Sequence, residues 1–460
     1  MASKQKSDLM EKVVALSKRR GFVFPGSEIY GGLANTWDYG PLGSLLKRNI
    51  EQSWWDFFVT KRPEIFGLDT SVLMNPKVWE ASGHTDSFTD ALIDCKSCKV
   101  RTRADHLIED NIEDTKVEGK TSKELHNLII SHKLNCPNCG KHDWTKPREF
   151  NLLFETSVGI LEGEQSQVYL RGETAQGMFV DFKNVLDTMS PKLPFGLAQS
   201  GLAFRNEITK GHFTFRTLEF HLAEFEYYVS EAEWEKWFEY WKTQMEKWLY
   251  VLGIDKKKIR WRKHTKDELS HYSKRTEDLE YEYPFGFKEL WGLAYRTDFD
   301  LKNHMEKSGV DMRYTDPKTG NKFIPHVVEP TFGITRTTMT VLTDAYEEGE
   351  KRTILKLAPS LAPYKVAIFP LLANKPKLVS KAKKVFESLN SAFSVTFDDR
   401  GNIGKRYFAQ DEIGTPWCVT VDFDTLKDDT VTVRDRDTAK QVRVSVDKLG
   451  EYIENKLGRK

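Results

Sequence analysis

Nowhere does the chain run for the ~20 apolar residues that a membrane-spanning helix needs. Its opening, MASKQKSDLMEKVVALSKRRG, sets Leu9, Val13 and Leu16 on one helical face. It has neither the apolar core nor the cleavage site of a secretory leader. Cysteine is scarce: five in 460 residues, four of them in two CxxC pairs, with Cys418 alone. That usage argues against a disulfide framework and for metal binding in a reducing compartment, so a cytoplasmic location is expected. Excess charge is missing too, with 69 Lys and Arg against 68 Asp and Glu. Long-range steering by net charge is therefore weak, and any nucleic-acid contact has to come from local patches. Internal repeats and low-complexity tracts are absent.

What remains is a globular composition, 39% hydrophobic and 30% charged, sufficient for a full core. At about 150 residues per domain, the length predicts three domains. Residues 1–94 mix a helix with aromatic-rich loops, and residues 95–146 change character to cysteines and charges, as an insertion would. Residues 150–350 are rich in aromatic strands. KLAPSLAPYK (356–365) reads as a linker, since proline breaks pairing and stiffens the chain. Beyond it, residues 361–460 predict a small α/β domain: strands at YKVAIFPL, VTFDDR, PWCVTV and DTVTVRDR, a helix over KPKLVSKAKKVFESLN, and a last helix. In SEAEWEKWFEYWKTQMEKWLYVLG, Ser230 and Glu233 predict a capping box and Gly253 a stop. The Trp234–Trp237–Trp241–Met245–Trp248–Leu252 stripe is a packing face.

Cys95-x2-Cys98 and Cys136-x2-Cys139 have the spacing of a four-thiolate zinc site. Four protein ligands leave no open coordination position, so the ion is structural. It would staple an insertion too small to build a core of its own.

Residues 202–228, LAFRNEITKGHFTFRTLEFHLAEFEYY, predict a charged hairpin: LAFRNE as one strand, TKGHFT as the turn, and FRTLEFHLAEFEYYV as a long return strand. Strand parity then aligns Arg205 with Glu207, and Arg216 with Phe220 and Glu224. A cation, an aromatic plate and an anion on one face suit a ligand with a phosphate, a flat base and an amine. The competing reading is a solvated face laced by cross-strand ion pairs.

FRNE, then FR, then EF resembles motif 2 of the class II aminoacyl-tRNA synthetases. VVEPTFGITRTTMTVL (327–342) resembles motif 3: a strand, a glycine turn, and an arginine entering a helix. WDYGPLGSLLKRNIEQSWW (37–55) resembles the dimer-forming helix of motif 1. YLRGETAQG (169–177), RTRADHLIED (101–110) and ELWGLAYRTDFDL (289–301) narrow the likeness to the homodimeric glycyl-tRNA synthetases of bacterial and eukaryotic type. The resemblance spans nearly the whole chain. It implies an α/β (α+β) fold: an antiparallel-sheet catalytic domain (1–94 and 147–355), a zinc-binding insertion (95–146) and a mixed α/β anticodon-binding domain (361–460).

By that likeness the partners are ATP, glycine, tRNA(Gly) and a second copy of the chain. The catalytic arginines are Arg205 at the α-phosphate, Arg216 at the γ-phosphate and Arg336 over adenine or at the γ-phosphate. Glu207 accepts from the adenine amine, Phe220 stacks on the base, and Asn206, Phe215, Leu290 and Gly333 complete the ATP site. Glu289 binds magnesium. Glu173, Glu224 and Glu329 surround the glycine ammonium, Arg296 and Arg103 are the cations near its carboxylate or at the pocket's edge, and Thr331 walls the pocket. The pattern GxxxxGK[ST] is absent, so side chains and metal must hold the phosphates. Two positions depart from the family: Gly172 stands where proline is common, which predicts a looser loop around Glu173, and Thr331 stands for serine. Two alternatives are a class II synthetase for threonine, serine, proline or histidine, and a catalytically inactive, synthetase-like nucleic-acid-binding protein. The basic run DKKKIRWRKHTK (255–266) is either a tRNA-backbone contact or a solvated face.

Overall fold

The computed structural model describes residues 2–112, 115, 117, 120–159, 166–207 and 211–458. Seven strands form the main sheet: β1 (Ile65–Gly67), β2 (Phe195–Phe204), β3 (Glu219–Val229), β4 (Ile259–Lys263), β5 (Arg275–Tyr283), β6 (Gly286–Thr297) and β7 (His326–Gly333). Their order is β4-β5-β6-β7-β3-β2-β1, antiparallel throughout except for the β1–β2 pair. Alternation on β3 gives the sheet two unlike faces. Ala223, Phe225, Tyr227 and Val229 enter the main hydrophobic core, whereas Glu224, Glu226 and Tyr228 point the other way.

Six helices pack around the sheet. α1 (Ala2–Arg20) buries Val13 and Leu16. α2 (Pro41–Trp55) starts on a proline, which suits the first helical position, and plants Ile50 and Trp54 in the core. α3 (Ala175–Met189) lies on the opposite face with Phe179 and Phe182. α4 (Trp234–Leu252) is the tryptophan helix: Trp241, Met245 and Trp248 are fully buried, and Gly253 takes the left-handed conformation at its end, φ 75°. At its start Ser230 Oγ donates to the Glu233 carboxylate at 3.2 Å, but neither side chain bonds the other's backbone N–H, so the predicted box is replaced by a side-chain contact. After α5 (Phe299–Ser308), α6 (Ile334–Ala345) follows β7 directly, so Arg336 sits in its first turn.

The insertion differs from expectation in two ways. Its three-stranded sheet pairs Thr89–Asp94 with Arg101–Arg103 and with Arg148–Asn151, running past 95 and 146 on both sides. It also owns a core: Ile93, Leu107, Ile108, Leu125, Ile129, Leu134 and Trp144 cluster with Cys95 and Cys136. The apolar positions are dispersed among charges and so escape a composition reading.

The segment 356–365 is docked rather than free. Leu357 and Leu361 are buried in the main core, and Asn49 Nδ2 donates to the carbonyls of Leu361 and Ala362 at 3.0 and 3.2 Å. Beyond it, β8 (Val366–Pro370), β9 (Val395–Phe397), β10 (Trp417–Val421), β11 (Thr430–Asp435) and β12 (Gln441–Ser445) form a mixed sheet in the order β9-β8-β10-β11-β12. β8 runs parallel to β9 and β10, and the rest is antiparallel. α7 (Pro376–Asn390) covers one face. The sequence reading misses α8 (Ile403–Ile413) because its buried face is polar: Arg406, Gln410 and Asp411. It misses β12 because that strand is an exposed edge. Arg352 and Arg434 both bond the fully buried Asp411, joining this domain to the catalytic one. No helix among the described residues is long and apolar enough to cross a membrane.

Candidate active site

The polar face of β3 opens into a cavity of about 230 Å³ on the middle of the main sheet. Glu173, Arg205, Glu207, Phe215, Arg216, Phe220, Glu224, Glu289, Glu329, Thr331, Gly333 and Arg336 all line it. Asn206, Leu290, Arg103 and Arg296 are not among the lining side chains.

The hairpin differs from its predicted form. β2 ends at Phe204 and β3 starts at Glu219, so Arg216 lies on neither strand. Thr209 and Lys210 of the predicted turn lie outside the described residues. The return limb instead turns tightly, with His212 and Phe213 at φ 46° and 63°, and Arg216 N donates to Gly211 O at 3.0 Å. Arg205 N donates to Leu218 O at 2.9 Å and closes the loop. Arg216 thus reaches the cavity by loop geometry, while Phe220 and Glu224 reach it by parity. The alternation of FRTLEF continues the strand's period past the strand's end, and so misleads.

At the acidic end the strands dictate the arrangement. Glu224 on β3 faces Thr331 on β7, which faces Gly292 on β6. The β6–β7 register slips between Tyr295 and Thr297, and Thr297 has φ 61°. Such a bulge re-aims a side chain, here Arg296. Its guanidinium is 1% exposed: Nε and Nη2 bond Asp300 at 2.8 and 2.9 Å, Nη1 bonds Glu329 at 3.0 Å, and Glu173 lies 3.7 Å away. Tyr272 stacks on it at 3.9 Å. Arg296 therefore organises the acids, with little of its donor set left for a substrate carboxylate.

Glu173 accepts from Gln176 Nε2 at 2.9 Å and lies 3.3 Å from His84 Nε2. Burial works to raise this carboxyl, but His84 and Arg296 outweigh it and hold it well below the usual range. Glu224 accepts from the backbone N–H of Thr174 at 2.7 Å and from the Thr174 hydroxyl. Burial, with repulsion from Glu173, pushes it up. Burial also lifts Glu329 to about 8 against the pull of Arg296, with Glu224 and Glu173 adding to the rise. Three buried carboxyls with one committed cation form a strong site for an ammonium group.

The open end is cationic and aromatic. Arg205 lies between the rings of Phe88 and Phe220, 5.1 and 5.3 Å from their centroids, and its Nε donates to Gly172 O at 3.0 Å. Arg336 rests on Phe215 at 4.5 Å and pairs with Glu289 at 3.0 Å. Desolvation would raise Glu289, but Arg336 holds it below the usual range. Arg216 stands 3.5 Å from Glu207 and 3.4 Å from His106 Nε2.

Arg103 lies apart from this cavity, at the base of the insertion. It bonds Asp105 through Nε and Nη2 and Asp90 through Nη1, at 3.1, 2.6 and 2.7 Å. Leu290 is a core residue, 1% exposed. Gly172 does not loosen its loop, since the Arg205 bond anchors the carbonyl. A Cβ there would stand 3.1 Å from Phe88 and 3.2 Å from Leu153, so those side chains already fill the space. The basic run at 255–266 is partly neutralised: Arg260 pairs with Glu280, Arg262 with Asp278 and Glu280, and Lys258 with Asp344.

The ligating sulfurs of Cys95, Cys98, Cys136 and Cys139 all lie within 4.8 Å of one another, with Cys95–Cys139 at 3.7 Å and Cys98–Cys136 at 3.6 Å. Four thiolates around zinc at about 2.3 Å stand about 3.8 Å apart, so the cluster fits that ion. His142 turns away and bonds Leu134 O at 2.7 Å.

Sequence reading assigns no role to Tyr272, Asp300, Gln176 or His84. Asp300 is detectable as the i+4 partner of Arg296 in RTDFD, and Gln176 lies inside the quoted ETAQG stretch. Tyr272 and His84 sit in loops that carry no periodic signal.

Residues 156–346 match the tRNA synthetase class II core domain (G, H, P, S and T), and residues 365–456 match an anticodon binding domain. The chain is 52% identical over 456 residues to the glycine–tRNA ligase of Caldanaerobacter subterraneus subsp. tengcongensis, covering 97% of this chain and 98% of that protein. It is 52% identical over 457 residues to the glycine–tRNA ligase of Geobacillus thermodenitrificans, covering 97% of each. It is 50% identical over 458 residues to that of Clostridium tetani, covering 97% of this chain and 98% of the relative. With the class II core, the anticodon-binding domain and near-complete coverage in agreement, the chain belongs to the glycine–tRNA ligase family of class II aminoacyl-tRNA synthetases.

Proposed function

We infer that this chain activates glycine with ATP and transfers it to tRNA(Gly). The observation that carries the inference is one cavity holding Glu173, Glu224 and Glu329 at its closed end and Arg205, Arg216 and Arg336 at its open end. The glycine carboxylate oxygen attacks the α-phosphorus, the bond to pyrophosphate breaks, and glycyl-adenylate forms. The hydroxyl of the terminal tRNA adenosine then attacks the carbonyl, and AMP leaves. No covalent enzyme intermediate is required, so positioning and charge stabilisation supply the rate.

The acids hold the ammonium, and Thr331 closes the space beside the α-carbon. Arg205 neutralises the α-phosphate where charge builds, while Arg216 and Arg336 take the distal phosphates or the base. Phe220 and Phe215 offer rings to adenine, and Glu207 accepts its amine. Arg296 keeps the acids in place. Glu289 lines the cavity as a half-exposed carboxylate, which suits magnesium held by one or two carboxylates plus substrate phosphates. When bound, that ion neutralises phosphate charge. Retention of all three cavity arginines favours an active enzyme over an inactive, nucleic-acid-binding relative.

Several finer readings go with this one. The four thiols hold structural zinc in a reducing, cytoplasmic compartment. The domains divide as 1–94 with 147–355, 95–146, and 361–460, with the insertion's sheet reaching out to Thr89 and Asn151. The exposed Ile29, Tyr30 and Leu33, at 87, 86 and 61% of full accessibility beside α2, support a homodimer. The domain built on β8–β12 takes the anticodon.

Amino-acid-dependent ATP–pyrophosphate exchange tests the function. Glycine should support exchange with alanine and serine far behind. No exchange with any amino acid would sink the enzyme reading, and equal exchange with serine or threonine would sink the choice of glycine.

A further inference from the structure

Glu226 follows Glu224 by two residues on β3, so both point to the same face. The register running from Glu224–Thr331 to Tyr227–Val328 sets Glu226 opposite Glu329. Its side chain is 0% exposed, and neither carboxyl oxygen meets a hydrogen-bonding group among the described residues. The next polar group on that face, the Tyr228 hydroxyl, is also buried without a partner among the described residues.

The charged groups around Glu226 come from four elements: Glu224 on its own strand, Glu329 on β7, Arg296 on β6 and Asp300 on α5. Glu173 stands behind them, against Arg296. Arg296 is the only cation in this group, and its bonds go to Asp300 and Glu329. An ionised Glu226 would face a like charge directly across the strand pair, which is destabilising. A buried charge left without a partner costs several kcal/mol more, and a group so placed neutralises instead.

We propose that Glu226 is a positioning residue of the glycine pocket that acts as a neutral carboxylic acid, keeping a proton so that Glu173, Glu224 and, once the substrate ammonium is bound, Glu329 can carry the negative charge facing it. The proposal rests on the acidic end being the ammonium site. Burial and the neighbouring Glu329 both act to keep Glu226 protonated well above the usual carboxyl range. The neutral side chain is fully buried opposite Glu329, and so sets the approach of Glu329 to Glu224.

The test combines kinetics with infrared spectroscopy on the full chain. Glu226→Ala opens space beside Glu329 and should raise KM for glycine about tenfold, with KM for ATP unchanged. Glu226→Gln, neutral and of the same shape, should restore it to within about threefold of the parent. The parent-minus-Glu226→Gln infrared difference spectrum at neutral pH should contain the C=O stretch of a protonated carboxylic acid. A tenfold rise in glycine KM in Glu226→Gln, or only carboxylate bands in the difference spectrum, would overturn the proposal. Glu226→Met supplies the same spectral comparison if the glutamine variant does not fold. Glu329→Gln separates the proposal from its premise. An unchanged glycine KM in that variant overturns the ammonium reading and the proposal together, whereas a raised KM in both glutamine variants overturns the proposal alone.

Discussion

At the acidic end of the cavity the charged side chains hang mostly from strands and helices: Glu224 from β3, Glu329 from β7, Arg296 from the bulge in β6, and Asp300 from α5. At the open end, Arg205, Glu207 and Arg216 hang from the loop that leaves β2, and Glu289 is half exposed beside Arg336. The acidic end is buried and its cation is committed to its own carboxyls. The open end keeps arginine donors facing the cavity. The difference matches the two substrates. A small ammonium rewards rigid, pre-paid desolvation, whereas triphosphate and its metal need groups that can close around them.

If the acidic end is a structural unit as well as a binding site, Arg296→Met should be the most damaging substitution. It strands Asp300, Glu329 and Glu173 with their cation removed, at a cost of about 3–5 kcal/mol in chemical unfolding, and glycine-dependent exchange should disappear. A variant that unfolds at the parent's midpoint would break the comparison, because the cluster would then be indifferent to its centre.

Arg205→Ala addresses the open end and should separate rate from stability. Loss of one charge-stabilising donor predicts a fall of about 10²–10³ in exchange, with the melting temperature little moved. A lowered melting temperature as the main effect would make the stacking on Phe88 and Phe220 structural.

How legible each end was follows from what carries it. Glu224, Phe220 and Glu329 obey strand parity, and period-two spacing is visible in a sequence. Parity puts Arg216 on the cavity face, but the FRTLEF alternation outruns its strand and a turn at positive φ does the positioning. Family likeness makes Arg296 a substrate ligand; Asp300, four residues on, hints at its ion-pair role, but Glu329 on β7 lies beyond any local window. Family likeness puts Arg103 near the carboxylate or the pocket's edge, and Asp105, two residues away, and Asp90 hold it at the base of the insertion. In the C-terminal domain α8 escaped because its buried face is charged, so hydrophobic periodicity had nothing to register.

The two ends also differ in their response to pH. Glu329 ordinarily titrates near 4.5 and is lifted by burial to about 8 in the folded chain. Its raised value means that stability relative to a Glu329→Gln variant is fully present below its unfolded pKa and is lost as pH rises through about 8. Parallel urea titrations at pH 5, 7 and 9 should show this divergence; constant spacing between parent and variant would place the proton elsewhere in the cluster.

Zinc removal should touch the open end only. The helix over Ala104–Glu109 puts His106 against Arg216, so Cys98→Ser, which leaves three sulfurs, should lower bound zinc to a small fraction of one ion per chain. It should raise KM for ATP several-fold with KM for glycine unchanged. Metal analysis and the two KM values check it. A shift in glycine KM alone would reverse the assignment of the two ends.

The smallest effect tests the closed end at the scale of one methyl group. Thr331 faces Glu224 across β3–β7 and lines the cavity. Thr331→Ser deletes its methyl and keeps its hydroxyl, so glycine itself, which has no side chain to meet that methyl, should exchange as before. Alanine carries the methyl that Thr331 excludes. One methylene of pocket shape is worth about 1–3 kcal/mol, so the glycine-to-alanine preference in exchange should drop about tenfold, near the lower bound of that range because Tyr272 still lines the pocket. An unaltered preference would mean that size is read by other lining groups and not by Thr331.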